Sequence, residues 1–216
     1  MQAVATKLRG RRGDSVLFDD VGFTLGRGEA LVITGPNGSG KSTLLRIIAG
    51  LLRADSGRFS LYNTDGAAVP VAENAHYLGH GNAMKRELRV SENLGFWKSF
   101  QCGDSGAGVS VDAAIEAVGL TGVAHLPFGY LSAGQQRRIA LARLLVSARP
   151  LWLLDEPTAA LDTSSDKLFA DLVRTHLAGG GLAIAATHQP LGLDTVRSLQ
   201  LSGLHRAASV SGEAWT

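Results

Sequence analysis

Gly35-Pro-Asn-Gly-Ser-Gly-Lys-Ser42 lies between a short apolar run, Ala30–Thr34, and a helical pattern, Lys41–Ala49. It fits G-x-x-x-x-G-K-[ST], which reads as a phosphate loop when a strand precedes it and a helix follows. Glycines let successive backbone N–H groups turn inward as an anion nest, and the helix N-terminus adds the positive end of its dipole. On this reading Gly35, Pro36, Asn37, Gly38, Ser39, Gly40, Lys41, Ser42 and Thr43 hold the phosphates of a nucleotide. Lys41 places a point charge at the β- and γ-phosphates, and Ser42 offers an oxygen to Mg²⁺, which prefers oxygen ligands. Leu44, Leu45, Ile47 and Ile48 give the helix an apolar face, and Gly50 suits its C-terminal end.

Two further runs match Ala30–Thr34 in character: Leu151–Leu154 and Leu182–Thr187 are short and apolar almost throughout. Such runs are expected as strands buried on both faces of a parallel sheet. Between them, Gln135–Val146 has helical spacing, with Ile139, Ala142, Leu145 and Val146 apolar and Arg137, Arg138 and Arg143 expected on its other faces. Alternating strands and helices predict an α/β fold with its ligand site at the carboxyl ends of the strands. From about Pro70 to Tyr130 the texture changes. Ser91–Phe100 and Val111–Val118 read as helices joined by the glycine-rich Cys102–Ser110, so a helical lobe inserted in the core is expected. The organisation is then one domain over residues 1–216, with core about 1–79 and 141–204 and lobe about 80–140. The tail from His205 to Thr216 is expected to fray.

Composition narrows the function classes. With 216 residues, 45% hydrophobic and 19% charged, the chain can bury a full-size core and is no disordered segment. No stretch approaches the roughly 20 apolar residues of a spanning helix. Met1–Arg12 carries Lys7, Arg9, Arg11 and Arg12 with no apolar run behind them, unlike a signal peptide. The single cysteine, Cys102, forms no internal disulfide and fits a reducing compartment, so an intracellular soluble protein is expected. A net charge of +2 gives no argument for a nucleic-acid partner.

The run Leu151-Trp-Leu-Leu-Asp155-Glu156 ends in two carboxylates. Alone, acids there only mark where a strand meets solvent. Beside a phosphate loop they suit two jobs, because neighbouring side chains of a strand point apart. Asp155 suits the metal and its water shell, and Glu156 suits the water that attacks the γ-phosphate.

Leu131-Ser-Ala-Gly-Gln135 opens the arginine-bearing helix. Ser132-x-x-Gln135 is a capping box, and a capped helix start with Gly134 in it also suits an anion. With the phosphate loop and the acidic pair, this run resembles the signature motif of ABC-type ATPases, usually LSGGQ, departing only at Ala133. The resemblance spans about residues 3–203 and implies a P-loop NTPase core of ABC type that binds ATP and Mg²⁺. It implies that Ser132, Gly134 and Gln135 meet the γ-phosphate held by a second cassette, in a homodimer. It further implies that Ala159-Ala160-Leu161-Asp162 is the D-loop and that His188 is the switch histidine, catalytic together with Glu156 and Lys41. Two positions depart. His80 stands where the family has a glutamine near the metal, and Arg11-Arg12 stand near its base-stacking aromatic; Arg12 is the candidate there, with Phe18 a weaker one.

Tyr77-Leu-Gly-His80, the continuation Gln136-Arg-Arg138 and Ala140-Leu-Ala-Arg-Leu144, and Ala186-Thr-His-Gln-Pro-Leu191 are similar to the ATP-binding subunits of bacterial haem exporters of cytochrome c maturation. That implies an ATPase bound peripherally to the cytoplasmic side of the inner membrane, on integral-membrane transporter subunits. Docking is expected near His80–Asn93, with Met84 and Leu88 as anchors. Haem would be handled by those partners, since no C-x-x-C-H is present. Three alternatives stand beside it: the ATPase of another small exporter, a nucleotide-dependent scaffold, and a chromosome-associated ABC protein. The last needs a long coiled coil between Lys41 and Leu131, where no sustained heptads occur.

Overall fold

A computed structural model describes residues 1–102, 108–158, 162–189, 191–193 and 196–202. The chain opens with two long strands, β1 (Gln2–Arg12) and β2 (Ser15–Leu25), followed by β3 (Ala30–Thr34) and α1 (Lys41–Ile48). Then come β4 (Ser56–Tyr62), β5 (Ala68–Val69), the short α2 (Val71–Asn74) and β6 (Ala75–Leu78). Two helices, α3 (Val90–Cys102) and α4 (Val111–Ala117), precede α5 (Ala133–Leu145). The chain continues through β7 (Leu151–Asp155), α6 (Thr163–Ala178), β8 (Leu182–Ala186) and β9 (Arg197–Gln200).

The three apolar runs become neighbours in one sheet, ordered β6-β7-β8-β3-β9, whose paired strands run parallel. Its two faces feed two cores, as alternation along each strand requires. Leu151 and Leu153 point toward α1 and the antiparallel sheet, packing with Leu44, Leu45 and Ile48. Trp152 and Leu154 point the other way, among Ile139, Phe169 and Val173.

The second sheet, β2-β1-β4-β5, is antiparallel and was not expected from the sequence. A search for continuous apolar runs passes over strands with one buried face. In β1, Ala3, Ala5 and Leu8 are buried while Lys7 and Arg12 face water, and the pairing with β2 shifts register between Ala5 and Leu8. Within β2, Phe18 is 3% exposed, so it belongs to the core and is unavailable to stack on a base.

The lobe forms as expected, and α4 is capped by Ser110, whose side chain accepts from Ala113 N. It has no separate core: Val90, Leu94, Ile115 and Phe128 share one cluster with Trp152 and Phe169 of the sheet side. The boundary expected near residue 140 falls inside α5, which packs on α3 and α4 and also on β6. Of the three arginines expected on the other faces of α5, Arg137 and Arg143 are each 4% exposed, so those faces are buried at these positions. Residues 103–107, Ala159–Leu161 of the expected D-loop and the tail from His205 lie outside the described residues.

Candidate active site

The carboxyl ends of β3, β7 and β8 deliver the phosphate loop, the acidic pair and His188 to one edge of the parallel sheet. The loop's path depends on two glycines. Gly40, the N-cap of α1, has φ 98, and a Cβ there would lie 2.9 Å from the Leu17 side chain. Gly35 has φ 142, and a Cβ would lie 2.2 Å from the Leu201 carbonyl. Any larger residue would push the loop off the strands beneath it.

No side chain caps α1. The N–H groups of Lys41, Ser42 and Thr43 precede the first helical bond, from Leu44 N to Gly40 O at 2.8 Å, and so are oriented for an anion. Lys41 Nζ donates to Gly35 O at 2.8 Å and to Pro36 O at 3.2 Å, which leaves one of its three N–H bonds for a phosphate. A cleft of about 610 Å³ opens over these groups, walled by Asn37, Gly38, Lys41, Thr43, Arg46 and Glu156. Arg11 and Arg12 reach its rim from the end of β1. Arg11 is tied to the Asp14 carbonyl at 3.1 Å, while Arg12 is exposed beside the cleft, as a base-stacking role needs.

Ser42 Oγ donates to Asp155 Oδ1 at 2.9 Å. Asp155 is 3% exposed, and its other oxygen accepts from the Tyr77 hydroxyl at 3.3 Å. That hydroxyl in turn accepts from Arg46 Nε at 3.4 Å. Burial raises the Tyr77 pKa, and the negative charge of Asp155 adds to the rise, while Arg46 opposes it. Tyr77 therefore stays a neutral donor. His80, expected near the metal, is exposed on the loop after β6, and among the described residues no bond joins it to Ser42 or Asp155. Sequence reading gave no site role to Arg46, or to Tyr77, which it quoted only as the start of Tyr77-Leu-Gly-His80.

The oxygen set suits Mg²⁺. Ser42 and Asp155 converge as hard ligands, and among the described residues no group of three or more His, Cys, Asp or Glu offers a richer metal cage. A magnesium ion takes few protein ligands and completes its shell with phosphate and water. The buried Ser39 Oγ, without a partner among the described residues, is a further polar group waiting in the loop.

Glu156 follows β7 with φ 46, a left-handed conformation that non-glycine residues adopt at a price in strain. Its N–H donates to Ala186 O at 2.8 Å, pinning it to the end of β8. His188 Nδ1 lies 3.2 Å from Glu156 Oε1, so the two expected catalytic side chains meet. The capping box also forms: Ser132 Oγ accepts from Gln135 N at 3.3 Å, and Gln135 Oε1 accepts from Ser132 N at 2.9 Å. Ser132, Gly134 and Gln135 do not line the cleft over their own phosphate loop.

Residues 18–159 match the family described as ABC transporter. The chain belongs to the ABC transporter family. This cassette is similar to the cytochrome c biogenesis ATP-binding export protein CcmA of Rhizobium meliloti, 58% identical over 94% of this chain and 99% of that protein. The protein of the same name from Rhizobium johnstonii is 55% identical, with both chains fully covered. A putative ABC transporter ATP-binding protein of Pyrococcus furiosus superposes with TM-score 0.77 at 24% identity, covering 93% of this chain and 98% of that chain. At that identity the likeness concerns the fold, which is the ABC-type α/β fold that the sequence implied. The cassette binds nucleotide and is an ATPase. Among its described residues, no helix is long and apolar enough to cross a membrane.

Away from the cleft, the lobe carries an apolar groove of about 280 Å³ lined by Ala83, Met84, Lys85, Leu88, Phe96 and Trp97. Phe96 is 59% exposed and stacks on Phe100, 71% exposed, at 5.8 Å.

Proposed function

We propose that this cassette drives the haem export or release system of cytochrome c maturation, bound peripherally to the cytoplasmic face of the inner membrane. The observation that carries the reading is identity of 58% to the Rhizobium meliloti CcmA across 99% of that protein's length. Integral-membrane subunits supply the path and handle haem. Their cytoplasmic loops dock in the lobe groove, where Met84, Leu88 and the exposed Phe96 offer apolar anchors.

In the cleft, the loop N–H groups and Lys41 bind the phosphates, and Arg12 stacks on the base. Ser42 and Asp155 would hold Mg²⁺, which would offset the negative charge of the phosphates. Glu156 accepts a proton from the attacking water, and His188, beside it, reaches toward the γ-phosphate. Ser132, Gly134 and Gln135 complete the site of a second cassette in a two-fold dimer. Their absence from the cleft of their own chain supports that arrangement, since the phosphates are left open on one side.

Copurification from membranes of the source cells, with identification of the attached subunits and any bound tetrapyrrole, tests this. Integral-membrane partners carrying a tetrapyrrole are the expected result. Partners of a system that handles a different cargo would overturn it.

A further inference from the structure

Arg137 ends in five N–H donors, and the structure supplies five acceptors. Nε donates to Pro157 O at 3.0 Å. One terminal nitrogen donates to Gly79 O at 3.0 Å and to Asn82 Oδ1 at 3.3 Å. The other donates to Asp155 O at 3.2 Å and to Glu156 O at 2.8 Å. The side chain is 4% exposed, so these bonds form away from water, where losing one leaves an unpaired group. Among the described residues no acid side chain pairs with it directly, though the charges of Asp155 and Glu156 lie near enough to favour its charged form. The guanidinium is aimed at backbone.

The backbone it grips is that of the acidic pair. Three successive carbonyls, of Asp155, Glu156 and Pro157, converge on one planar group. The middle residue holds the left-handed φ of 46, a conformation that persists only where its surroundings enforce it. The Glu156 N–H bond to Ala186 restrains one side of that residue, and Arg137 restrains the other. The remaining two bonds reach the segment that leads from β6 to the lobe groove. Arg137 stands on α5, the helix that Ser132 caps. One rigid element thus joins the signature start, the acidic pair and the entry to the lobe.

We propose that Arg137 is a positioning residue for ATP hydrolysis: its guanidinium fixes the turn that aims Glu156 and ties that turn to α5. The proposal rests on the reading of Glu156 as the base. A lysine cannot replace it, because three donors on one tetrahedral nitrogen do not span five planar-spread acceptors.

The test uses the full chain with Arg137→Lys, Arg137→Gln, Glu156→Gln and the double variant Arg137→Gln/Glu156→Gln. Single-turnover hydrolysis and nucleotide affinity are measured on each, below its melting temperature. Misplacing a reacting group by about 1 Å lowers rate by about 10²-fold. Both Arg137 variants are expected to lose turnover on that scale with ATP affinity nearly unchanged. The double variant is expected to be no slower than Glu156→Gln, because Arg137 acts through that carboxylate. Near wild-type turnover in the Arg137 variants beside a slow Glu156→Gln overturns the proposal alone. So does an additive loss in the double variant, or loss of nucleotide binding in both Arg137 variants, which marks a requirement of the fold. Near wild-type turnover in Glu156→Gln removes the base itself and the proposal with it.

Discussion

Ser42 and Asp155 are 113 positions apart in sequence and joined by a hydrogen bond of 2.9 Å. One lies in the first turn of α1 and the other ends β7, so the bond closes the sheet edge over which the cleft opens. Two oxygens at that separation are placed to face one cation.

Asp155→Asn is therefore expected to weaken binding of ATP in the presence of Mg²⁺ and to leave binding in EDTA nearly unchanged. Tyr77→Phe removes the donor to the other carboxylate oxygen and is expected to do the same more weakly. Partners behind a metal ligand are worth about 10–100-fold in metal affinity. Calorimetric titration with and without Mg²⁺ reads both. Equal losses in EDTA would assign these residues to the phosphate loop itself.

Glu156→Gln should nearly abolish hydrolysis while ATP still binds. The amide keeps the shape of the carboxylate but takes no proton from water, and such help is worth about 10²–10⁴ in rate. Lys41→Ala should differ by weakening binding, because the charge at the phosphates is lost. Comparing single-turnover rates with nucleotide affinities separates the two. If Glu156→Gln hydrolyses ATP normally, His188, 3.2 Å away, is the next base to test.

Arg12 at the cleft rim predicts poor discrimination between ATP and GTP. A guanidinium stacked on a base contacts its face and reads no edge. Arg12→Ala should weaken both nucleotides alike in competition binding. A hundredfold preference for ATP in the unaltered chain would show that another group reads adenine.

His76 predicts an acid-sensitive fold. Burial holds its pKa down from 6.5 to about 3, while Nε2 bonds the Ser147 carbonyl at 2.8 Å. The unfolded chain takes up a proton below about 6.5 and the folded chain does not until about 3, so stability is full above 6.5 and falls as pH drops between those values. The slope from this residue is about 1.4 kcal/mol per pH unit. His76→Leu should flatten the pH dependence of Tm in that window by one proton. An unchanged slope would assign the acid sensitivity to other groups.

What the sequence disclosed was what it held in one piece. The phosphate loop, the run ending in Asp155-Glu156 and the Ser132–Gln135 box each lie within a few consecutive residues, with chemistry set by local spacing. The antiparallel sheet was hidden because β1 and β2 bury one face only, and a bulge breaks their alternation. Tyr77 was hidden because its value comes from Asp155, brought within reach of its hydroxyl only because the β6–β7 register sets Tyr77 opposite Leu153. Arg137 was placed only on a face of the helix away from its apolar residues, with no partner assigned to it. Four of its five acceptors are backbone carbonyls, which every residue carries and no sequence pattern marks.

The capping box at the start of α5 divides the chemistry of its two side chains. The Ser132 and Gln135 oxygens both turn inward to accept from each other's backbone. Left for other partners are the serine O–H, the two N–H bonds of the glutamine amide and the N–H of Gly134, which has no intrahelical acceptor in the first turn. The cap thus makes the tip of the helix rich in free donors, with no acidic residue in the first turn. Such a tip favours an anion over a cation. Because none of these groups titrates near neutrality, its grip is expected to stay constant as pH changes.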